Sequence, residues 1–269
     1  MGDLGQVLEL LHGSDERWNT LRATGRAWSH NPRRNEIGER RFAAMRAGDP
    51  SGVAWTGYVA LADQPPEPDE TEEGWRLWMQ GRRRTRLERS TGSGTVTTVQ
   101  DGASWWSWSP YTGGMTNRGA ANHRLGLGPA VALVDTAPLL TALRLELMGS
   151  DTLNGRGVFQ VRGLPRARNE HEPDPLSELG PDADDYLMSV DAERGILLRT
   201  EARLRGLPFF VMEMVEVAFD VDVPDEMFAI HLPEGESFED VSRRSRPSVP
   251  LRSRIFPSAR RRGFQRKQP

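Results

Sequence analysis

The sequence predicts an α+β protein: a single curved antiparallel β-sheet of about ten strands with two or three helices on one side. Alternating apolar and polar runs recur along most of the chain, joined by connections too short for parallel crossovers. Tight-turn residues separate them. Asp191-Ala-Glu-Arg-Gly195 places an aspartate early and a glycine late, the make-up of a type I turn closed by a left-handed residue. Between it and the turn at Gly206-Leu-Pro208, Ile196, Leu198, Thr200, Ala202 and Leu204 alternate with Leu197, Arg199, Glu201 and Arg203. One face is mostly apolar and the other mostly charged, as in a half-buried sheet with a wet side.

The elements follow in chain order. Asp3 and Gln6 have the spacing of a capping box, and Leu4, Val7, Leu8 and Leu11 form the apolar stripe of a short helix ended by Gly13. Trp18 to Trp28 reads as the first strand. Ile37, Arg41, Phe42 and Met45 outline a second helix ending at Gly48, and Val53 to Leu61 allows another strand. Residues 63–74 are acidic and proline-rich, which predicts a mobile loop within the sheet. Trp75 to Met79 and Arg82 to Arg89 are strands meeting near Gly81. Thr95 to Gln100 and Ser104 to Ser109 form a hairpin turned at Asp101-Gly102. Tyr111 to Gly128, rich in Gly and Asn, reads as loop. Asp135-Thr136 can cap a helix with Pro138 in its first turn, running to about Leu143. Leu145 to Met148 pairs with Val158 to Gly163 across Asn154-Gly155, residues 164–184 form a second loop, and the strands from Tyr186 to Gly235 complete the sheet.

Composition excludes several function classes. Mean hydropathy is −0.59 and hydrophobic residues make up 37%, so part of the 269-residue chain is expected not to fold. The absence of cysteine rules out disulfides, thiolate metal sites and cysteine nucleophiles. The N-terminus lacks a basic n-region and a long enough apolar run for a signal peptide. The segment 130–148 is broken by Asp135, Pro138, Arg144 and Glu146, so the expected location is cytoplasmic. Residues 236–269 hold ten basic and three acidic side chains, net +7, which leaves −10 on residues 1–235 of a chain whose total is −3. The expected organisation is a folded domain over 1–235 followed by a basic, disordered tail over 236–269.

The stretch YLMSVDAERGILLRTEARLRGLPF, from Tyr186, resembles the strand–turn–strand segment of the RseB-like sigma-factor regulators. FDVDVPDEMFAIHLPEG resembles the closing segment of the LolA-like lipoprotein carriers, with Phe228, Pro233 and Gly235 at the matching positions. The resemblance implies an unclosed half-barrel whose concave face is covered by helices and which takes acyl chains or a partner protein there. It implies no catalytic residues.

Candidate ligand contacts come from the residues themselves. Phe209 to Val215 is apolar on both faces, with Phe210, Met212 and Met214 on one and Phe209, Val211 and Val215 on the other. Methionine suits surfaces that adapt to varied apolar partners. Trp75, Leu77 and Met79 make a second apolar stripe, and Trp106 and Trp108 share a face with Trp105 opposite. These side chains either line an apolar cavity or lie beneath helices. The run Arg82, Arg83, Arg84, Arg86 and Arg89 fits a solvated sheet face better than a phosphate site, because the body is acidic. In the tail, Arg243, Arg244, Arg260, Arg261 and Arg262 are candidate contacts to an anionic membrane; nucleic acid is disfavoured, and docking on the acidic body is equally economical.

No G-x-S-x-G, P-loop, dinucleotide fingerprint or H-E-x-x-H occurs, which predicts no enzyme and no cofactor. Asp220, Asp222, Asp225 and Glu226 lack the glycine and terminal glutamate of an EF-hand loop and read as an acidic turn around Pro224, with no metal. The expected function is a non-enzymatic module that holds an apolar ligand, lipid or partner peptide in its concave face. The alternative is a regulatory or scaffold protein acting through its tail on anionic membrane or nucleic acid.

Overall fold

The computed structural model describes residues 3–48, 68–92, 94–118, 128–167 and 174–241. They form one unclosed sheet of 12 strands with four α-helices. The strands are β1 (Thr20–His30), β2 (Glu70–Gln80), β3 (Arg84–Thr91), β4 (Gly94–Asp101), β5 (Ser104–Ser109) and β6 (Gly113–Thr116). They continue with β7 (Leu143–Leu153), β8 (Arg156–Pro165), β9 (Asp185–Asp191), β10 (Leu197–Leu204), β11 (Leu207–Phe219) and β12 (Phe238–Asp240). The order across the sheet is β12-β6-β5-β4-β3-β2-β1-β11-β10-β9-β8-β7. Neighbours pair antiparallel, as the short connections require, except that β12 runs parallel to β6. Closing the long return, β11 comes back beside β1, with Ala23 opposite Val217 and Ala27 opposite Met212.

The helices are α1 (Leu4–His12), α2 (Asn31–Gly48), α3 (Pro129–Ala132) and α4 (Leu139–Ala142). Asp3 caps α1, its Oδ1 accepting from Gln6 N at 2.8 Å, as the spacing predicts. The face of α1 that carries Val7, Leu10 and Leu11 is buried. With Leu133 and Leu139 it covers one side of the sheet, and the covered strand residues include Leu21, Leu77, Tyr186, Met188 and Leu198. This is the inner face. On the outer face, cross-strand neighbours alternate in charge: Glu213 lies between Arg199 (2.9 Å) and Arg26 (3.2 Å), and Arg26 reaches Glu72 at 3.8 Å.

The turn between β9 and β10 joins helix to sheet. Asp191 is fully buried and its carboxylate accepts from Glu193 N, Arg194 N and the Arg156 guanidinium (Nε 2.5 Å, Nη2 3.2 Å). The hydrogen bond to Asp191 raises the Arg156 pKa further above its ordinary value, with burial opposing. Gly195 closes the turn at φ +73° and donates to Asp191 O at 3.0 Å. A Cβ there would overlap the Leu10 backbone of α1, so only glycine lets the helix lie this close.

Several expectations shift. Glu70 to Gly74, expected as loop, extend β2, because β1 offers their backbone a partner and Arg26 and Trp28 meet Glu72 and Glu70. β6 arises inside the expected loop 111–128, pairing with β5 through Gly113 to Thr116. The helix expected from Asp135 to about Leu143 is reduced to the single turn of α4, α3 lying before Asp135, and Thr136 does not cap. Its Oγ1 is buried on Leu11 O (2.7 Å), Ser14 Oγ (2.9 Å) and Gly195 O (3.2 Å). The sheet also runs past the expected boundary at Gly235, since β12 ends at Asp240. The expected strand 53–61, the first part of the loop at 63–74 and the tail arginines lie outside the described residues.

Two substitutions test the joint between turn and helix. Gly195→Ala should lower unfolding free energy by at least about 2 kcal/mol in urea denaturation, from positive φ and the overlap with α1 together. Asp191→Ala, which strands a half-buried guanidinium and two turn N–H groups, should cost about 3–5 kcal/mol. Glu9→Gln on the exposed side of α1 should stay within about 0.5 kcal/mol of the parent.

Candidate functional site

The structure divides the candidate ligand contacts between the two faces of the sheet. Trp75, Leu77, Met79, Met212 and Met214 are at most 5% exposed and belong to the inner-face core, in one cluster with residues of α1, α3, α4 and the 176–183 segment. Phe210 is half-buried at the edge of the same cluster. Phe209, expected on the opposite face from Met212, is also inner. The pairing steps from Ala202–Phe210 to Arg203–Pro208, so Phe209 is the extra residue of a bulge. Its ring meets Gly180, where an added Cβ would lie 3.2 Å from it. Among the described residues the inner face is thus packed with side chains.

Trp106 and Trp108 lie on the other face. In register, Trp106 faces Val99 and Trp108 faces Thr97, while Arg86 faces both Trp78 and Val99. Over these strands runs a strap, residues 220–236, that leaves the end of β11. Asp220 N donates to Thr20 O and Thr20 Oγ1 to Val221 O, fixing its start. Val223 and Phe228 are then buried (7% each) with Val99, against Trp78, Trp106, Met227 and Ile230. Its far end is held by Trp108, whose Nε1 donates to Glu236 at 2.7 Å, and β12 follows.

The arginines of β3 fasten the strap's middle. Arg84 pairs with Asp225 at 2.6 Å and stacks over Phe228, 4.5 Å from the ring centre. Arg86 Nη1 donates to two strap carbonyls, Met227 O at 3.1 Å and Ala229 O at 2.9 Å. Arg82 meets Asp15 and Asp135, and Arg83 meets Asp101. These four members of the arginine run are committed to partners within the chain, which leaves little for phosphate. The acids around Pro224 separate as well: Asp220 accepts from Asn19 N and Asp225 binds Arg84. Among the described residues no group of three or more His, Asp or Glu side chains is placed to hold a metal ion, and no helix is long and apolar enough to cross a membrane.

Between strap and sheet is a depression of about 580 Å³. Trp78, Trp108, Met227 and Ile230 give it an apolar lining. Glu88 at its floor binds Arg76 (2.7 Å) and Arg86 (2.6 Å), and Arg76 lies 5.7 Å from the Trp78 ring centre. Glu226 and His231 complete the rim. Of the apolar ligand candidates from the sequence, only Trp108 lines this groove. Trp78, Met227 and Ile230 were hidden, because only the path of the strap brings 227–231 onto β2 to β5.

No family model matches the sequence, and no curated protein matches it. Solved structures are similar in fold. One is MucB, 12% identical, with 84% of this chain covered against 62% of that one and a TM-score of 0.49. This chain therefore spans about three fifths of the MucB chain. An uncharacterized conserved protein from Thermus thermophilus is 11% identical over 88% of this chain and 99% of that one, with a TM-score of 0.48. A LolA superfamily protein from Nitrosomonas europaea is 9% identical over 86% and 99%, at 0.33. RseB-like and LolA-like structures, the two groups that Tyr186 to Gly235 resembles, are both among the fold neighbours.

Arg86→Ala should loosen the strap without dissolving the sheet. The expected result is faster amide hydrogen exchange across 225–231 and a stability loss of about 1–2 kcal/mol, from two lost carbonyl contacts. Arg144→Ala, on β7 at the opposite end of the sheet order, should leave exchange in 225–231 unchanged.

Proposed function

We propose that this protein is a non-catalytic binding module that takes an extended apolar-aromatic segment of a partner protein in the outer-face groove. The observation that carries this reading is the groove's lining: two tryptophans, a methionine and an isoleucine around an arginine–glutamate–arginine set. Its volume of about 580 Å³ falls in the usual range for binding sites, about 300–1,000 Å³. Aromatic, Met and Arg side chains are those enriched where proteins meet. A peptide uses both halves of such a lining, placing side chains on the indoles and main-chain groups near the charges. An acyl chain would leave the charged set idle, and among the described residues the inner face that the half-barrel resemblance implies for it is packed.

Panning a phage-displayed dodecapeptide library against the full chain tests this. Enriched peptides should carry aromatic or large aliphatic residues, and Trp108→Ala or Met227→Asp should weaken them at least tenfold. A dansyl-labelled fatty acid serves as the contrasting probe. If it binds saturably and insensitively to both substitutions while no peptide is enriched, the groove reading is wrong and the inner face takes the ligand.

A further inference from the structure

The strap and the segment that follows it carry opposite charge. From Asp220 to Asp240 the chain has eight acidic side chains and no arginine or lysine; residues 242–269 have ten basic side chains and no acidic one. The two blocks adjoin at Val241. Several strap acids are spoken for, Asp220 by Arg194 and Asn19, Asp225 by Arg84 and Glu236 by Trp108. Asp222, Glu226 and Glu234 are exposed, and Glu226 sits on the groove's rim.

We propose that the chain's own C-terminal segment, residues 243–269, occupies the outer-face groove in cis and must be displaced by a partner. This rests on the groove reading above and adds its regulation. Reach is ample. The described chain ends beside β12, which pairs with β6, which pairs with β5 and its Trp108. That is two interstrand steps of about 4.8 Å each, whereas 28 extended residues span up to about 90 Å. Chemistry fits too: Ile255-Phe256 and Phe264 stand among arginines, so apolar side chains can enter the Trp78–Met227–Ile230 lining while guanidinium groups face Asp222, Glu226 and Glu234. Because the tail is tethered, its local concentration is of millimolar order, so even a weak intrinsic affinity suffices for it to occupy the groove.

The test uses the full chain in two forms: wild type, and a tail-neutral form in which Arg243, Arg244, Arg246, Arg260, Arg261 and Arg262 are changed to Gln. A fluorescein-labelled synthetic peptide of residues 243–269 is the probe, read by anisotropy. The tail-neutral chain should bind it at least tenfold more tightly than wild type, and binding should weaken steeply between 50 and 500 mM NaCl, about the range over which ionic screening tightens from 14 to 4 Å. Adding Asp222→Asn, Glu226→Gln and Glu234→Gln to the tail-neutral chain should abolish the gain. Equal affinity of the two chains for the peptide would overturn the proposal. So would wild-type binding to phosphatidylglycerol vesicles as tight as that of the free peptide, since the tail would then be unoccupied. A library-selected peptide that binds both chains equally, and is lost on Trp108→Ala, would overturn cis docking while leaving the groove reading intact.

Discussion

The buried Asp191 carboxylate is the constraint on which the rest of the structure depends. One side chain satisfies two turn N–H groups and a guanidinium from the neighbouring strand. A buried carboxylate without such partners would be expensive, and with them it dictates one turn geometry. That geometry places Gly195 at positive φ directly beneath Leu10, and Gly195 O then accepts from Thr136 Oγ1, which also holds Leu11 O. Three segments far apart in sequence (α1, the 133–136 segment and the β9–β10 turn) therefore converge on one point. From it the apolar stripe of α1 is laid across the inner face, and the hydrophobic core closes.

Closure of the inner face has a consequence for the outer one. Sheets buried on one side ordinarily show a polar second side, and between β1 and β10 this one does, with Arg199, Glu213, Arg26 and Glu72 in alternation. Between β2 and β5 the rule breaks: Trp78, Val99, Trp106 and Trp108 all face outward. The strap answers part of that exposure by seating Val223 and Phe228 on Val99 and Trp106. It leaves the Trp78 and Trp108 side of the patch as a groove instead of a second core. Arg86, donating to Met227 O and Ala229 O, ties the middle of the strap to β3 beside that groove.

What was legible in the sequence followed from local rules. Asp191 to Gly195, Asp101-Gly102 and Asn154-Gly155 declare their turns through residues that tolerate positive φ, and strand alternation between them needs nothing from the rest of the chain. Asp3 declared its cap for the same reason. Where partners decide, the reading failed. Glu70 to Gly74 carry no strand pattern and become strand because β1 lies alongside. Thr136 has a capping residue's chemistry and spends it on Leu11 and Gly195. The bulge at Phe209 reverses the face that strict alternation assigns to that ring, so the two-sided apolar strand 209–215 is mostly a one-sided strand with one residue inserted.

The same distinction explains why the groove was half visible. Trp106 and Trp108 fall on one face by alternation alone, but a strand sequence does not say which face of a sheet the helices will cover. That choice is made by α1 docking at Gly195, on the far side of the sheet order from β5. Once α1, α3 and α4 take the inner face, outward tryptophans need another cover, and the chain's remaining length after β11 is what supplies it. The strap's acids follow from its position: on one flank it meets the β3 arginines, and Arg84 and Arg86 would otherwise repel one another beside the indoles. An acidic strap over a basic strand, with aromatic rings between, is stable only if each charge finds an opposite within contact distance. Asp225, Glu88 and the strap carbonyls meet that need for β3. Asp222, Glu226 and Glu234 stay exposed along the strap, Glu226 at the groove's rim, and it is this surplus of acid beside half-buried indole that the proposed docking of a cationic, aromatic-bearing chain draws on.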